Sequence, residues 1–245
     1  MVSKLIWTDE DKFFITSFNK RLYDDYAHKF LQSYIDTKQT IKMICYVEED
    51  FEYPKIDGIT YINIMKEMPE LVAFKERHKD KVWHDDSDFL QNAVRFSHKV
   101  FAQYHASQLN KKFMWLDADN IFNKQIPTDW FNKFIPDNVF CSYYGRKRYS
   151  ELGVLGFNCK DEDSDKFFDV YLKHYTEDRI WNMQYKTDCH AFDNTINMIR
   201  PKEIRRGNGD QSHVIAMDSF INPYLDHKKG KRKAMAHSPE WETHR

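Results

Sequence analysis

An apolar run, Phe113, Met114, Trp115 and Leu116, is followed at once by Asp117, Ala118, Asp119 and Asn120. As a buried strand, this run sends Asp117 and Asp119 out on the same face of the pleat, because side chains alternate with a period of two. Two hard oxygen ligands at the exit of a central strand are a natural seat for Mg²⁺ or Mn²⁺. The feature points to an enzyme that handles a phosphate-bearing substrate through a metal.

An Asp-x-Asp pair alone carries little information, because so short a motif matches often by chance. Five occur here: Asp9/Asp11, Asp86/Asp88, Asp117/Asp119, Asp161/Asp163 and Asp163/Asp165. Only Asp117/Asp119 directly follows an apolar run. The others lie in polar segments, where a solvated surface explains them. The competing role for Asp117 and Asp119 is a strand-end turn in which Asp and Asn satisfy backbone groups. The strand that precedes them favours metal binding.

Segments 13–17, 41–47 and 59–64 suit buried strands. After the first, Tyr23, Tyr26, Phe30, Leu31, Tyr34 and Ile35 recur at the spacing of one helix face. The alternation predicts an α/β fold with a mostly parallel central sheet flanked by helices. A short helix is expected near 71–78 and a longer one over 88–108, with Leu90, Ala93, Val94, Ser97, Val100, Phe101 and Tyr104 as its core stripe. Pro127, Thr128 and Asp129 open another short helix. Segment 139–143 reads as a strand, 151–158 as a glycine-punctuated apolar piece, and 164–175 and 188–199 as helices. From Pro223 the chain turns polar and basic. It is expected as a loop wrapping back onto the body, with a disordered tail as the alternative.

The 245 residues show no composition break, so one domain is expected over 1–245. With 37 Lys+Arg against 38 Asp+Glu, the net charge is -1, which argues against a surface tuned throughout for nucleic acid or anionic membrane. Cys45, Cys141, Cys159 and Cys189 show no CxxC pairing and suit buried free thiols in a reducing compartment. Neither a signal-peptide core nor a run of membrane-spanning length is visible, so a cytoplasmic location is expected.

Further candidates lie elsewhere. Asp226, His227, Lys228, Lys229, Gly230, Lys231, Arg232 and Lys233 form a basic run that contains an imidazole and a glycine. Such a run is usually a solvated face or a nucleic-acid patch. An imidazole is also a good third ligand beside two carboxylates. Glycine lets backbone approach a phosphate, and nearby cations neutralise it. Gln91, Arg95 and Lys99 recur every four residues and share a helix face, either as a plain polar stripe or as a basic lining. Glu151 stands just before a glycine-rich apolar turn, at a cleft edge or in a bulged strand. Asp188 is placed to cap the helix that follows it. Thr16 and Phe18 end the first strand, where ligands of open α/β sheets bind, and are candidates for contacting a nucleotide base and ribose.

The strand-helix-strand opening, the helix with Arg95 and Lys99 and the Trp115-Leu116-Asp117-Ala118-Asp119 strand end together resemble GT-A fold glycosyltransferases. The resemblance implies one Rossmann-like GT-A domain. Residues 1–120 would be a nucleotide-binding half ending in the DxD motif, and 121–245 an acceptor half with a C-terminal tail folding over the active site. It implies Mn²⁺ or Mg²⁺ against the diphosphate of a nucleotide sugar, with a UDP-sugar favoured. Asp119 would bind the metal directly, and Asp117 would touch ribose, metal or both. His227 would complete the metal site. Gly230 and either Lys231 or Lys233 would meet the diphosphate. Arg95 or Lys99 would face the donor. Asp188, ahead of Asp193, would reach the donor-sugar hydroxyls, Asp88 being a further candidate, and Glu151 would lie under acceptor and donor sugar. Asp188, Glu151 and Arg95 are thus the catalytic candidates. The His-x-x-Gly ending favours retention of configuration in hexose transfer.

Two other classes compete. A metal-dependent nucleotidyltransferase also pairs carboxylates with cations around phosphates, but usually carries a Gly-rich loop after its first strand, and 16–21 contains no Gly. A non-catalytic module could use Lys228 to Lys233 on nucleic acid, with binding that falls steeply with salt. The acceptor is not legible: glycan, lipid, protein and nucleobase all remain open, because acceptor loops vary independently of the fold.

Overall fold

A computed structural model describes residues 11–81, 86–209 and 213–239. Its strands are β1 (Lys12–Phe18), β2 (Met43–Val47), β3 (Ile59–Asn63), β4 (Lys112–Leu116), β5 (Asn120–Phe122), β6 (Cys141–Arg146), β7 (Glu151–Asn158), β8 (Glu203–Gly209) and β9 (Leu225–His227). Seven form one sheet in the order β3-β2-β1-β4-β7-β6-β8. β1 pairs in parallel with β2 and β4, β2 with β3, and β6 with β8; β7 runs antiparallel to β4 and β6. The sheet is therefore mixed but mostly parallel.

Burial follows the period of two. Phe13, Ile15, Phe113, Trp115, Leu155 and Phe157 face one apolar cluster, and Phe14, Phe18, Met114, Leu116 and Val154 face the other. A sheet buried on both faces needs helices on both. On the first face lie α5 (Ala93–Ser107), α7 (Ser164–Thr176) and α8 (Asp188–Ile199), through residues such as Phe101, Tyr171 and Phe192. On the second lie α2 (His28–Asp36) and α6 (Thr128–Phe134), through Phe30, Leu31 and Phe131. The four cysteines are free, three buried and Cys189 half-buried.

Several expectations need correction. The first helical stretch is broken: α1 (Lys20–Leu22) passes through a π turn (Tyr23–Ala27) into α2. The buried stripe is Ala27, Phe30, Leu31 and Tyr34, and Ile35 is exposed. The expected 88–108 helix begins only after Asn92, whose side chain accepts from the Arg95 amide and restarts the chain as α5 after a 3-10 turn (Asp86–Gln91). Gln91 therefore lies outside α5, and its amide donates to Gln184 O instead. Arg95 is exposed while Lys99 is buried, so the three do not form one polar stripe. The tail does wrap back, but as strand β9 and a 3-10 turn (Gly230–Ala234) rather than as plain loop. β5, β8 and β9 were not foreseen. β5 and β9 have three residues each, too few to show a period.

Candidate functional site

β4 delivers the chain to Asp117, and one more ladder bond, Asp117 N to Gly153 O at 2.9 Å, carries it past the strand end. Asp117, Ala118 and Asp119 then bridge from the large sheet to the small one formed by β5 and β9. In that small sheet Asn120 stands opposite His227. Antiparallel pairing thus brings a residue over a hundred positions downstream beside the paired carboxylates. His227 Nε2 is 3.2 Å from Asp119 Oδ1 and 3.8 Å from Asp117 Oδ2. One ligand atom from each of the three residues lies within 4.8 Å of the others.

Two observations fit a cation at this point. Asp119 Oδ1 is enclosed, and its 3.2 Å ion-pair approach to His227 Nε2 lacks hydrogen-bond geometry, so the oxygen keeps lone pairs that a cation could take. Space for the imidazole is made by Gly153 on β7, where a Cβ would overlap the His227 ring. Asn120 braces the turn by donating to Asp117 O at 2.8 Å and Gly153 O at 3.0 Å. Two carboxylates and an imidazole suit a divalent cation.

Four cations surround the carboxylates. Lys99, buried on α5, donates to Asp117 Oδ1 at 2.9 Å and Leu152 O at 2.7 Å, and lies 3.1 Å from Asp188 Oδ2. Lys233 is 3.0 Å from Asp119 Oδ2 and 4.0 Å over the Tyr26 ring. Glu151 is buried between Arg146, at 2.9 Å, and Lys229, in a short ion pair. Burial alone raises the Asp119 carboxyl, but the charges on His227 and Lys233 outweigh it and hold the group well below the usual carboxylate range. For His227, burial pulls down, yet Asp119 and then Glu151 push the imidazole above its ordinary value. Burial also opposes ionisation of Glu151, but Lys229, His227 and Arg146 bring it down to about 2. Lys99 is likewise held charged against its burial by Asp117 and Asp188. Beside this lattice a cleft opens, floored by Lys99, Asp117, Glu151 and Asp188 and walled by Phe89, Phe96 and Tyr149.

Solved structures similar to this chain include glycosyltransferases. Mouse xyloside xylosyltransferase 1 in its apo form matches at 12% identity over 77% of this chain and 82% of its own, with a TM-score of 0.48. The galactosyltransferase LgtC, in complex with donor and acceptor sugar analogues, matches at 12% identity over 79% and 73%, with a TM-score of 0.47. A glycosyltransferase involved in the glycosylation of the major capsid of PBCV-1 matches at 12% identity over 91% and 96%, with a TM-score of 0.48. No family model and no curated protein sequence matches this chain.

The remaining candidates fall at varied distances from the cluster. Asp188 opens α8 after the cap residue Thr187 and reaches Lys99. Gly230, at φ +55°, begins the 3-10 turn of the tail and faces open space, and Lys231 beside it is exposed. Arg95 lies over the Phe89 ring at 5.1 Å, on the outer side of α5. Thr16 and Phe18 are wholly buried, Phe18 edge-on to Tyr53 at 5.6 Å. Asp193 accepts from Ser150 N and Oγ, fastening α8 to the start of β7. Asp88 has a side chain outside the described residues.

Sequence reasoning missed Arg146, Tyr26, the pairing partner of Lys229 and the purpose of Gly153. Arg146 meets Glu151 only because β6 and β7 form a hairpin, with Tyr144 opposite Glu151. Tyr26 comes beside Asp119 through the π turn, which no periodicity announces. The basic run is divided: Lys228 is buried and donates to Met235 O, Lys229 and Lys233 face carboxylates, and Lys231 is exposed. Among the described residues no helix is long and apolar enough to cross a membrane.

Proposed function

We propose that this chain is a metal-dependent glycosyltransferase. It moves a hexose from a nucleoside-diphosphate sugar, with a UDP-sugar the favoured donor, to an acceptor with retention of configuration. The observation that carries this reading is the meeting of Asp117, Asp119 and His227, from two distant stretches of chain, with one ligand atom of each within 4.8 Å of the others. Residues 1–120 are assigned to nucleotide binding, and 121–245 to the acceptor side and the tail.

Asp117, Asp119 and His227 would hold Mn²⁺ or Mg²⁺. When bound, the ion neutralises the charge that develops on a departing diphosphate. Lys233, already beside Asp119, adds a second positive charge there, and Lys231 and the open backbone at Gly230 lie next along the tail. Lys99 and Asp188 present a fixed, buried ion pair at the floor of the cleft, able to orient sugar hydroxyls without reorganising. Glu151, Asp188 and Asp193, the carboxylates that an inverting transfer could use as a general base, are already engaged: Glu151 by Arg146 and Lys229, Asp188 by Lys99, Asp193 by Ser150. An inverting transfer needs a base able to accept the acceptor proton, so this engagement supports retention.

Thermal-shift measurements with a panel of nucleotide sugars, with and without Mn²⁺, test the proposal. A donor present at about 100 times its dissociation constant stabilises the fold by about 2.7 kcal/mol. The expected result is a shift with donor and Mn²⁺ together that exceeds the shift with Mn²⁺ alone, and none with donor alone. Absence of a shift with every donor would rule out this function.

A further inference from the structure

His227 has two polar edges. Its Nε2 faces Asp119 and Asp117, at 3.2 and 3.8 Å, while its Nδ1 faces Glu151 Oε1 at 4.0 Å. A ring nitrogen offers its lone pair to a cation only when it carries no proton, so a neutral His227 that ligates through Nε2 carries its proton on Nδ1. We propose that Glu151 is a positioning residue for His227: it holds the proton on Nδ1, fixes the ring plane and leaves the Nε2 lone pair aimed at the Asp117–Asp119 cluster. The inference rests on the metal-binding reading of that cluster and assigns Glu151 a role through His227 instead of on the acceptor.

The surroundings of Glu151 suit this role. Its carboxylate is buried, and Oε2 is taken by Arg146 and Lys229. Oε1 accepts from Gly153 N at 3.1 Å and keeps a lone pair toward the ring. Glu151 and Gly153 stand two residues apart on β7, so one strand supplies both the acceptor for Nδ1 and the gap into which the ring fits. Closing 4.0 Å to hydrogen-bond length requires a shift of only about 1 Å. A carboxylate behind a ligating histidine is a general device for setting its tautomer and basicity.

The test measures Mn²⁺ affinity by electron paramagnetic resonance of the free ion in wild type, Glu151→Leu, Glu151→Gln, His227→Ala and the Glu151→Leu/His227→Ala double variant. Nitrogen NMR of the Mg²⁺-loaded, histidine-labelled protein reports which ring nitrogen carries the proton. Glu151→Leu should weaken Mn²⁺ binding about 10–100-fold, and Glu151→Gln, whose amide oxygen still accepts from Nδ1, should weaken it less. With His227 absent, removing Glu151 should change nothing further. The His227 signal should show the Nδ1–H tautomer in wild type and Glu151→Gln. Equal loss of affinity with and without His227 would overturn the role, since it would trace the effect to the uncovered charges of Arg146 and Lys229. Unchanged affinity and tautomer in Glu151→Gln and Glu151→Leu would overturn it too. A wild type that binds no Mn²⁺ defeats the metal reading itself, whereas a wild type that binds with Glu151 uncoupled defeats only the positioning role.

Discussion

The site depends on a missing side chain as much as on those present. On β7, the His227 ring lies against the backbone at Gly153, and any Cβ there meets the ring. Gly153→Ala should displace His227 from Asp119 and weaken Mn²⁺ binding at least tenfold. Overpacking of this kind costs about 1–3 kcal/mol, less than a fold of this size holds in reserve. Circular dichroism should therefore stay native while the Mn²⁺ titration moves. A Gly153→Ala protein with wild-type affinity would show that the ring does not need that gap. At this scale the sequence was informative where chemistry is carried by residue type. The paired carboxylates and the histidine could be picked out because few residue types bind divalent cations. Arg146 and Lys229 could not, because their meeting with Glu151 is fixed by hairpin pairing and by the path of the tail, neither of which a charge pattern reveals.

β9 is the element that turns two sequence motifs into one site. Its three residues pair with β5, and beyond it Lys228 N donates to Asp119 O at 3.0 Å. A strand that short is marginal alone and is held by a latch: wholly buried Asp226 accepts from Ser238 N at 2.8 Å and Ser238 Oγ at 2.6 Å. Asp226→Ala leaves two donors unsatisfied, at roughly 1–3 kcal/mol each. The expected outcome is faster amide hydrogen exchange at Lys228 and along β9, with β1 and β4 amides unchanged. A uniform loss of protection would instead mean that the tail unfolds only with the whole molecule. Long elements were legible: α8 begins and ends at the expected Asp188 and Ile199. The start of the 88–108 helix was misplaced because Asn92 satisfies a helical amide and so starts a new helix, a local capping choice that the apolar stripe overrides in a sequence pattern.

Across the whole molecule, stability should fall on mild acidification. His98 and His174 are buried, and burial first, then the charges of Lys75 and Arg179 respectively, lower their pKa values to about 3 and about 4. Both lie below the ordinary value of 6.5. Above that value folded and unfolded chains are equally neutral. Below it the unfolded chain takes up protons that the native chain refuses, so stability drops as pH falls from 6.5 toward 4. Each such histidine adds up to about 1.4 kcal/mol per pH unit. Urea melts between pH 7.5 and 5 should show the slope, and His174→Gln should flatten it by one histidine's share; an unchanged slope would show that His174 is protonated in the native state. The layered α/β architecture was readable because a chain alternating apolar strands and amphipathic segments has few other ways to bury both. The β5–β9 pairing that joins its ends carries no periodic signal; the meeting of His227 with Asp119 was implied only by the family resemblance, and that junction is where the proposed activity resides. Isothermal titration of Mn²⁺ into wild type, Asp119→Asn and His227→Ala tests it most directly. One ion per wild-type chain is expected, with affinity reduced at least tenfold by either substitution, one at the end of a central strand and one in the tail. Mn²⁺ binding that survives both substitutions, or a wild type that binds none, would contradict a metal centre shared between them.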